Sequence, residues 1–359
     1  MLYREAGQFK TSYAADQAIF AIPQDRFAFL LILAVGFIIV PMVASEYALL
    51  TIMIPFLVFA LASIGLNILT GYAGQLSLGT GGFMAVGAFA AFKLATSFPS
   101  LNIVIVFLLA GLVAAAVGVV FGLPSLRIKG FYLAVATLAA QFFLIWMFNK
   151  FPWFFNYSAS GVISAPPRAV FGHFEVTGAE AGPVVKYLFT LSFVGILALT
   201  AKNLIRGRIG RSWMAIRDMD IAAEIIGIKP LHAKLSAFAI SSFYVGIAGA
   251  LWALVYTGSV EALAFDIERS FQILFMIIIG GLGSILGSFL GAAFITLMPL
   301  FLDRAGAMLG LPLPVNILTN LEDMIFGGLI CFFLIVEPRG LARLWQIGKE
   351  KLRLWPFPH

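Results

Sequence analysis

The chain has 359 residues, of which 61% are hydrophobic and only 11% charged, against about 25% charged in a soluble domain. So much apolar surface exceeds what one core can bury, so lipid must be the solvent for much of it. The net charge of +6 comes from Lys and Arg in loops between apolar runs, not on one soluble face, which excludes a nucleic-acid-binding surface.

Residues 1–26 are polar and mixed in charge. The first apolar run, 27–44, begins too late for a cleaved signal peptide and lacks a small-residue cleavage site, so it reads as a retained span. A spanning helix needs about 20 apolar residues. The candidates are 27–44, 47–70, 74–97, 102–122, 130–149, 184–201, 235–256, 271–301 and 321–336. The run 271–301 is too long for one simple helix, and three glycines within Gly280-Gly281-Leu282-Gly283-Ser284 weaken it there. It reads as a segment, 271–283, that enters the membrane, turns and returns through 285–301. The expected fold is therefore all-α: a polytopic bundle of eight full crossings plus a re-entrant segment. Its parts are a cytoplasmic segment 1–26, a membrane domain 27–340 and a cytoplasmic tail 341–359.

Charge supports that orientation. The inward regions 1–26, 123–130, 202–234 and 337–359 hold three, two, seven and five Lys/Arg, 17 in all. The outward regions hold 5, namely Lys150, Arg168, Lys186, Arg269 and Arg304. This is the positive-inside pattern. Lys93, near the end of a span, can snorkel. The outward loop 150–183, with Trp153 and Pro166-Pro167, is long for a hairpin and reads as a folded cap or a partner contact.

Two stretches are rich in glycine. In 66–97, Gly71, Gly74, Gly79, Gly81, Gly82 and Gly87 interrupt an apolar segment that also carries Asn67, Thr70, Gln75, Ser77 and Thr80. Either the helix breaks and Asn67, Gln75, Ser77 and Thr80 line a translocation path, or the small residues serve close helix packing. Gly283, Gly287 and Gly291, spaced by four, form a ridge that another helix can approach closely. The sequence leaves open whether that helix belongs to the same chain or to another subunit.

Residues 202–234 form the longest polar island of the second half, with seven Lys/Arg, two Asp and one Glu. Asp220 to Gly227 reads as a short amphipathic helix used for docking. Asp218 or Asp220 can accept from orphan N–H groups at its start. Ala222 and Ala223 are small, Glu224 follows on the exposed side, and Gly227 can take a left-handed closing conformation.

Acidic residues Glu46, Glu261, Asp266, Glu268, Glu322 and Asp323 fall at span edges, and no ionisable residue is expected at mid-membrane, which argues against an ion-coupled carrier. The sequence has no Walker loop, no HExxH and no Cys/His cluster. His173, His232 and His359 are far apart, so neither a metal site nor catalysis is expected. Cys331 has no second cysteine to pair with and reads as a small buried hydrophobe.

LNILTGYAGQLSLG at 66–79, SGVISAPPRAVFG at 160–172, GRSWMAIRDMDIAAEIIGI at 210–228 and IIGGLGSILGSFLGAA at 278–293 resemble the LivM-type permease subunit of branched-chain amino acid ABC importers. The similarity covers roughly 47–340 in the same order. Ala222, Ala223, Glu224 and Gly227 stand where that family carries its version of the EAA coupling loop. The outward segment departs from the family's usual glycine-rich, acidic pattern. The resemblance implies a non-catalytic permease of the bacterial inner membrane. It would pair with a homologous second permease and two cytoplasmic ATP-binding subunits, and a periplasmic solute-binding protein would deliver the solute. ATP and Mg would belong to the partners, and no cofactor to this chain. Small Ala222 and Ala223 would let the coupling helix sit in a groove of the ATPase. The same family includes permeases for urea, short amides and small organic acids. The competing readings are a stand-alone secondary carrier or channel, which has no need of the 202–234 helix, and an anchoring membrane subunit, which has no need of polar helix breaks.

Overall fold

The computed structural model describes residues 12, 23–125, 131–158, 160–170, 174–178, 181–308, 315–337 and 340–354. Most of the segment 1–22, the loop holding Arg127 and Lys129, His173 and His359 lie outside the described residues.

Helix α1 is Arg26–Val43 and α2 is Ala48–Tyr72; α2 ends in a wide π-turn, Ile68–Tyr72. Residues 73–79 leave the helix, and α3 begins only at Thr80 (Thr80–Ser97). Then come α4 (Ile103–Ser125) and α5 (Phe131–Lys150). The following loop holds β1 (Ile163–Ser164), β2 (Arg168–Val170) and β3 (Phe174–Thr177). Next are α6 (Pro183–Arg206), α7 (Arg208–Asp218), α8 (Asp220–Ile225) and α9 (Pro230–Thr257). The chain continues through β4 (Ser259–Val260), α10 (Ile267–Gly280), α11 (Ile285–Met308), α12 (Val315–Val336) and α13 (Gly340–Leu354).

The protein is an all-α polytopic bundle. Among the described residues, seven helices are long and apolar enough to cross a membrane: α1, α2, α4, α5, α6, α9 and α11. The expectation of eight full crossings is not met by those criteria alone. Helix α3 has 18 residues diluted by glycine, threonine and Lys93, and the described apolar stretch of α12 is the shorter Met324–Phe333. The core forms around α2 and α9, most of whose residues are buried, with α3 and α4 packed on α9. Helix α1 has no buried residue in its apolar window and touches the bundle through Gly36, whose carbonyl accepts from the Tyr187 hydroxyl at 3.0 Å.

The loop between α5 and α6 is folded. β1 pairs antiparallel with β4, and β2 with β3. The Arg168 guanidinium donates to the carbonyls of Ala95 and Pro99, tying the loop to the end of α3. We refer to this as the strand end of the bundle. The opposite end carries α7 and α8.

The run 271–301 is two helices joined at 281–284. At 14 residues α10 is about 21 Å long, short of the ~30 Å hydrocarbon core. The glycine ridge lies inside this hairpin and is an intrachain contact. A Cβ on Gly291 would stand 1.8 Å from the Met276 carbonyl oxygen, and one on Gly287 2.7 Å from that of Gly280. Gly283 does not belong to the ridge. It sits in the turn with φ of +73°, because α11 starts only after it. Cys331 also departs from expectation: it is exposed, as apolar side chains at the lipid-facing rim of a bundle can be.

Because the clash at Gly291 is with backbone, no rotamer change relieves it. Gly291→Ala is expected to destabilise the α10–α11 hairpin by about 1–3 kcal/mol or more. Gly195→Ala, where a Cβ meets nothing within 4 Å, should be silent. Thermal unfolding of the two purified variants checks this.

Candidate translocation and coupling site

A helix that starts inside a membrane exposes N–H groups with no water to receive them. Helix α3 starts in this way after Gly79, which has no side chain to cap it. Other helices supply the acceptors. Leu78 N donates to Thr137 Oγ1 at 2.9 Å, Gly81 N to Ser270 Oγ at 2.8 Å, and Gly82 N to Gln141 Oε1. Gln141 Nε2 in turn donates to the Phe265 carbonyl at 2.8 Å, and Ser270 Oγ donates to Gln141 Oε1 at 3.2 Å. Gln141 is the eleventh of the 20 residues of α5, so this junction lies at mid-span. There the buried start of α3 meets the buried Ser270 in the first turn of α10, against the middle of α5.

The second junction joins the end of α2 to the α10–α11 turn. The Asn67 amide nitrogen donates to the Ser284 carbonyl and to Ser288 Oγ, both at 2.9 Å, and its Oδ1 accepts from Gly283 N at 2.8 Å. Asn67 is 1% exposed, with its bonding capacity taken up by the turn. It is a clamp between two breaks, not a free lining group. Of the other three candidates, Ser77 Oγ accepts from Gly79 N at 3.4 Å. Gln75 and Thr80 are buried, and both amide atoms of Gln75 and Thr80 Oγ1 have no protein partner. A buried orphan polar atom costs about 1–3 kcal/mol, and of the four candidates only these two side chains lack a partner in the protein.

Helix α7 joins these breaks to the polar island. Trp213 is fully buried, and its indole donates to Ser236 Oγ at 3.0 Å, seating α7 on α9. At its end Arg217 Nη1 donates to the Gly71 carbonyl at 2.8 Å, while Nε is held by Asp218 at 2.9 Å. Gly74 has φ of +69°, and a Cβ there would lie 2.8 Å from Arg217 Cγ, so the arginine stem packs directly on the chain after α2. Arg217 thus reaches the α2 break, which Asn67 clamps to the α10–α11 turn. In the sequence it was one of seven basic residues, with nothing to set it apart.

The island therefore holds two helices, not one. Met219 occupies the N-cap of α8 and no side chain caps it. The expected capping role of Asp218 and Asp220 is replaced by ion pairs, Asp218 with Arg217 and Asp220 with Lys234 at 2.8 Å. Asp220 still lies in the first turn of α8, where negative charge suits the dipole, and its pair ties α8 to the start of α9. Gly227, with φ of +89°, closes the helix in a Schellman arrangement: Ile228 N donates to the Ala223 carbonyl, and Gly227 N to that of Glu224, both at 3.0 Å. Ala223 is only 2% exposed. It packs within the chain, so its small size does not serve a partner's groove. Ala222 and Glu224 are exposed. So are Met219, Ile221, Ile225 and Ile226, at 70%, 74%, 81% and 73%. That bare apolar face was missed because the apolar residues of so short a helix look like its packing side.

The site offers neutral hydrogen-bonding groups and hinges, with no nucleophile–base pair. Among the described residues, no group of three or more His, Cys, Asp or Glu could hold a metal. Gln141→Leu removes three hydrogen bonds and leaves Gly82 N and the Phe265 carbonyl unmet. It is expected to lower stability by about 2–6 kcal/mol, at about 1–3 kcal/mol per orphan group. Thr296→Val, which deletes a hydroxyl that has no partner, should be neutral or mildly stabilising. Thermal unfolding in matched detergent compares them.

Known proteins are similar to this chain. The family described as branched-chain amino acid transport system / permease component matches residues 48–334. The high-affinity branched-chain amino acid transport system permease protein LivM of Escherichia coli (strain K12) is 30% identical over 308 residues, covering 79% of this chain and 68% of that protein. The protein of the same description from Salmonella typhimurium is also 30% identical over 308 residues, with the same coverage. A probable branched-chain amino acid transport permease protein LivM from Methanocaldococcus jannaschii is 27% identical over 248 residues, covering 67% and 68%. No solved structure matches. A match spanning both helix breaks, the strand-end loop and α7–α8 makes this multi-pass membrane protein a member of the branched-chain amino acid permease-component family.

Proposed function

We propose that the chain is the transmembrane permease subunit of an ATP-binding cassette importer, moving branched-chain or related hydrophobic amino acids across the inner membrane. It works with a second, homologous permease subunit. Two ATP-binding subunits dock on α7–α8 from the cytoplasm and hold the ATP and Mg. A periplasmic solute-binding protein delivers solute to the strand end. The chain itself contributes no catalytic group and binds no cofactor.

The observation that carries this reading is the apolar face of α8. Four large apolar side chains stand exposed on a helix rigidly tied to the bundle, which marks a protein contact rather than a solvated surface. The ties run inward from it, through Asp220–Lys234 to α9 and through Arg217 to the α2 break. When the ATPases close, they move α8, and α8 moves the breaks. A stand-alone carrier has no use for such a face.

In the reconstituted complex with loaded binding protein, Ile225→Asp is expected to prevent ATPase docking. Arg217→Met should leave docking intact and reduce solute-stimulated ATP hydrolysis and uptake about tenfold or more, as expected when a part-buried hydrogen bond from a charged group, worth about 1.5–3 kcal/mol, is cut. Gly227→Val, strained by its left-handed backbone, should resemble Ile225→Asp. Co-purification and stimulated ATPase rates check all three, and near-normal stimulation in each would return the stand-alone carrier to the front.

A further inference from the structure

By its place in the chain, Arg269 belongs to a short loop before the 271–301 run, but its guanidinium lies inside the bundle. Its Cζ stands 4.5 Å from the ring centroid of Trp252 in α9 and 5.1 Å from that of Phe59 in α2. Phe59 is the twelfth of the 25 residues of α2 and Trp252 the 23rd of the 28 of α9, so the cation sits between mid-span and the strand end of the bundle. The sequence reading placed this charge in an outward loop, whereas the folded chain holds it inside the bundle.

Arg269 has neutral neighbours for its donors. Nη1 donates to Gln272 Oε1 at 2.7 Å, and Nε to the Ala264 carbonyl at 3.4 Å. Asp266 and Glu268 lie near enough to favour the cation electrostatically, but neither pairs with it directly. Asp266 caps α10 by accepting from Glu268 N at 2.8 Å, and Glu268 is exposed. Among the described residues, no carboxylate comes within the 4.0 Å of an ion pair with Arg269. A cation held away from water demands a counter-charge, and intramembrane charges are held where function needs them. The two aromatic faces compensate in part and fix the guanidinium plane. The start of α10 adds a positive dipole end on the same side.

We propose that Arg269 is the anion site of the translocation path, and that the solute's carboxylate takes up the direct pairing that neither Asp266 nor Glu268 makes. A guanidinium fork fits a carboxylate in planar, two-bond fashion. Phe59, Trp252 and Tyr256, whose ring lies 4.5 Å from that of Trp252, border it with apolar surface suited to a hydrocarbon side chain. The solute class is therefore small acids with an apolar body, amino acids included, rather than neutral urea or amides. This inference rests on the transport reading above.

The test uses the complete complex in liposomes, a Cys331→Ala background and L-leucine as solute. Arg269→Cys is expected to assemble and to lose about tenfold or more of its uptake, while Arg269→Lys keeps an intermediate rate. Aminoethyl methanethiosulfonate, which restores a positive charge at the cysteine, should recover uptake, and the negative sulfonatoethyl reagent should not. Saturating leucine-loaded binding protein should slow both modifications. Uptake equal to the background, recovery with either reagent regardless of charge, or failed assembly of both the Cys and Lys variants would overturn the proposal, the last by assigning Arg269 to a structural or subunit contact. A background complex that moves no leucine would instead overturn the transport reading.

Discussion

Two stretches of this bundle give up helical hydrogen bonding where lipid can replace none of it, and every other feature of the site follows from how those backbone groups are satisfied. An unmet peptide group in hydrocarbon costs several kcal/mol. The α3 start borrows acceptors from Thr137, Gln141 and Ser270, and the α10–α11 turn is held by the amide of Asn67. These side chains make a broken helix tolerable, and they also bind α2, α3, α5, α10 and α11 to one another. Breaks held by a few side chains are natural hinges.

Function can be built on such hinges only if something outside the membrane reaches them. Arg217 does so from the end of α7, held by Asp218 and donating to Gly71. Trp213 and the Asp220–Lys234 pair keep α7 and α8 seated on α9. The apolar face of α8 is then a handle with stiff connections to both breaks. On the proposed reading this explains why a helix of only six residues can matter to helices tens of ångströms long.

Much of the architecture was legible in the sequence. Apolar length located the spans, and clustered glycines located both breaks, because glycine dilutes helix propensity in any context. Gly227 was legible too, since a helix ending in Ile-Ile-Gly has few other ways to turn. What escaped was everything made by pairs remote in the chain. Gln141 was not singled out in the sequence at all, because its partners lie 59 and 124 residues away. Asn67 looked like a pore group for the same reason. Ala223 was misread because small residues suit an interface and an intrachain seat equally well. Arg269 looked like loop charge because only the folded chain shows its guanidinium between the rings of Phe59 in α2 and Trp252 in α9.

The central claim is that α8 and the α10–α11 turn move as one unit, joined through Arg217 and Asn67. The most direct measurement is the distance between spin labels on Glu224 and Leu282, both exposed, in the assembled complex with and without ATP. The account predicts one unchanged distance in the native background, and a distance that varies with nucleotide once Arg217 is replaced by Met. A distance that already shifts with ATP in the native background would contradict it.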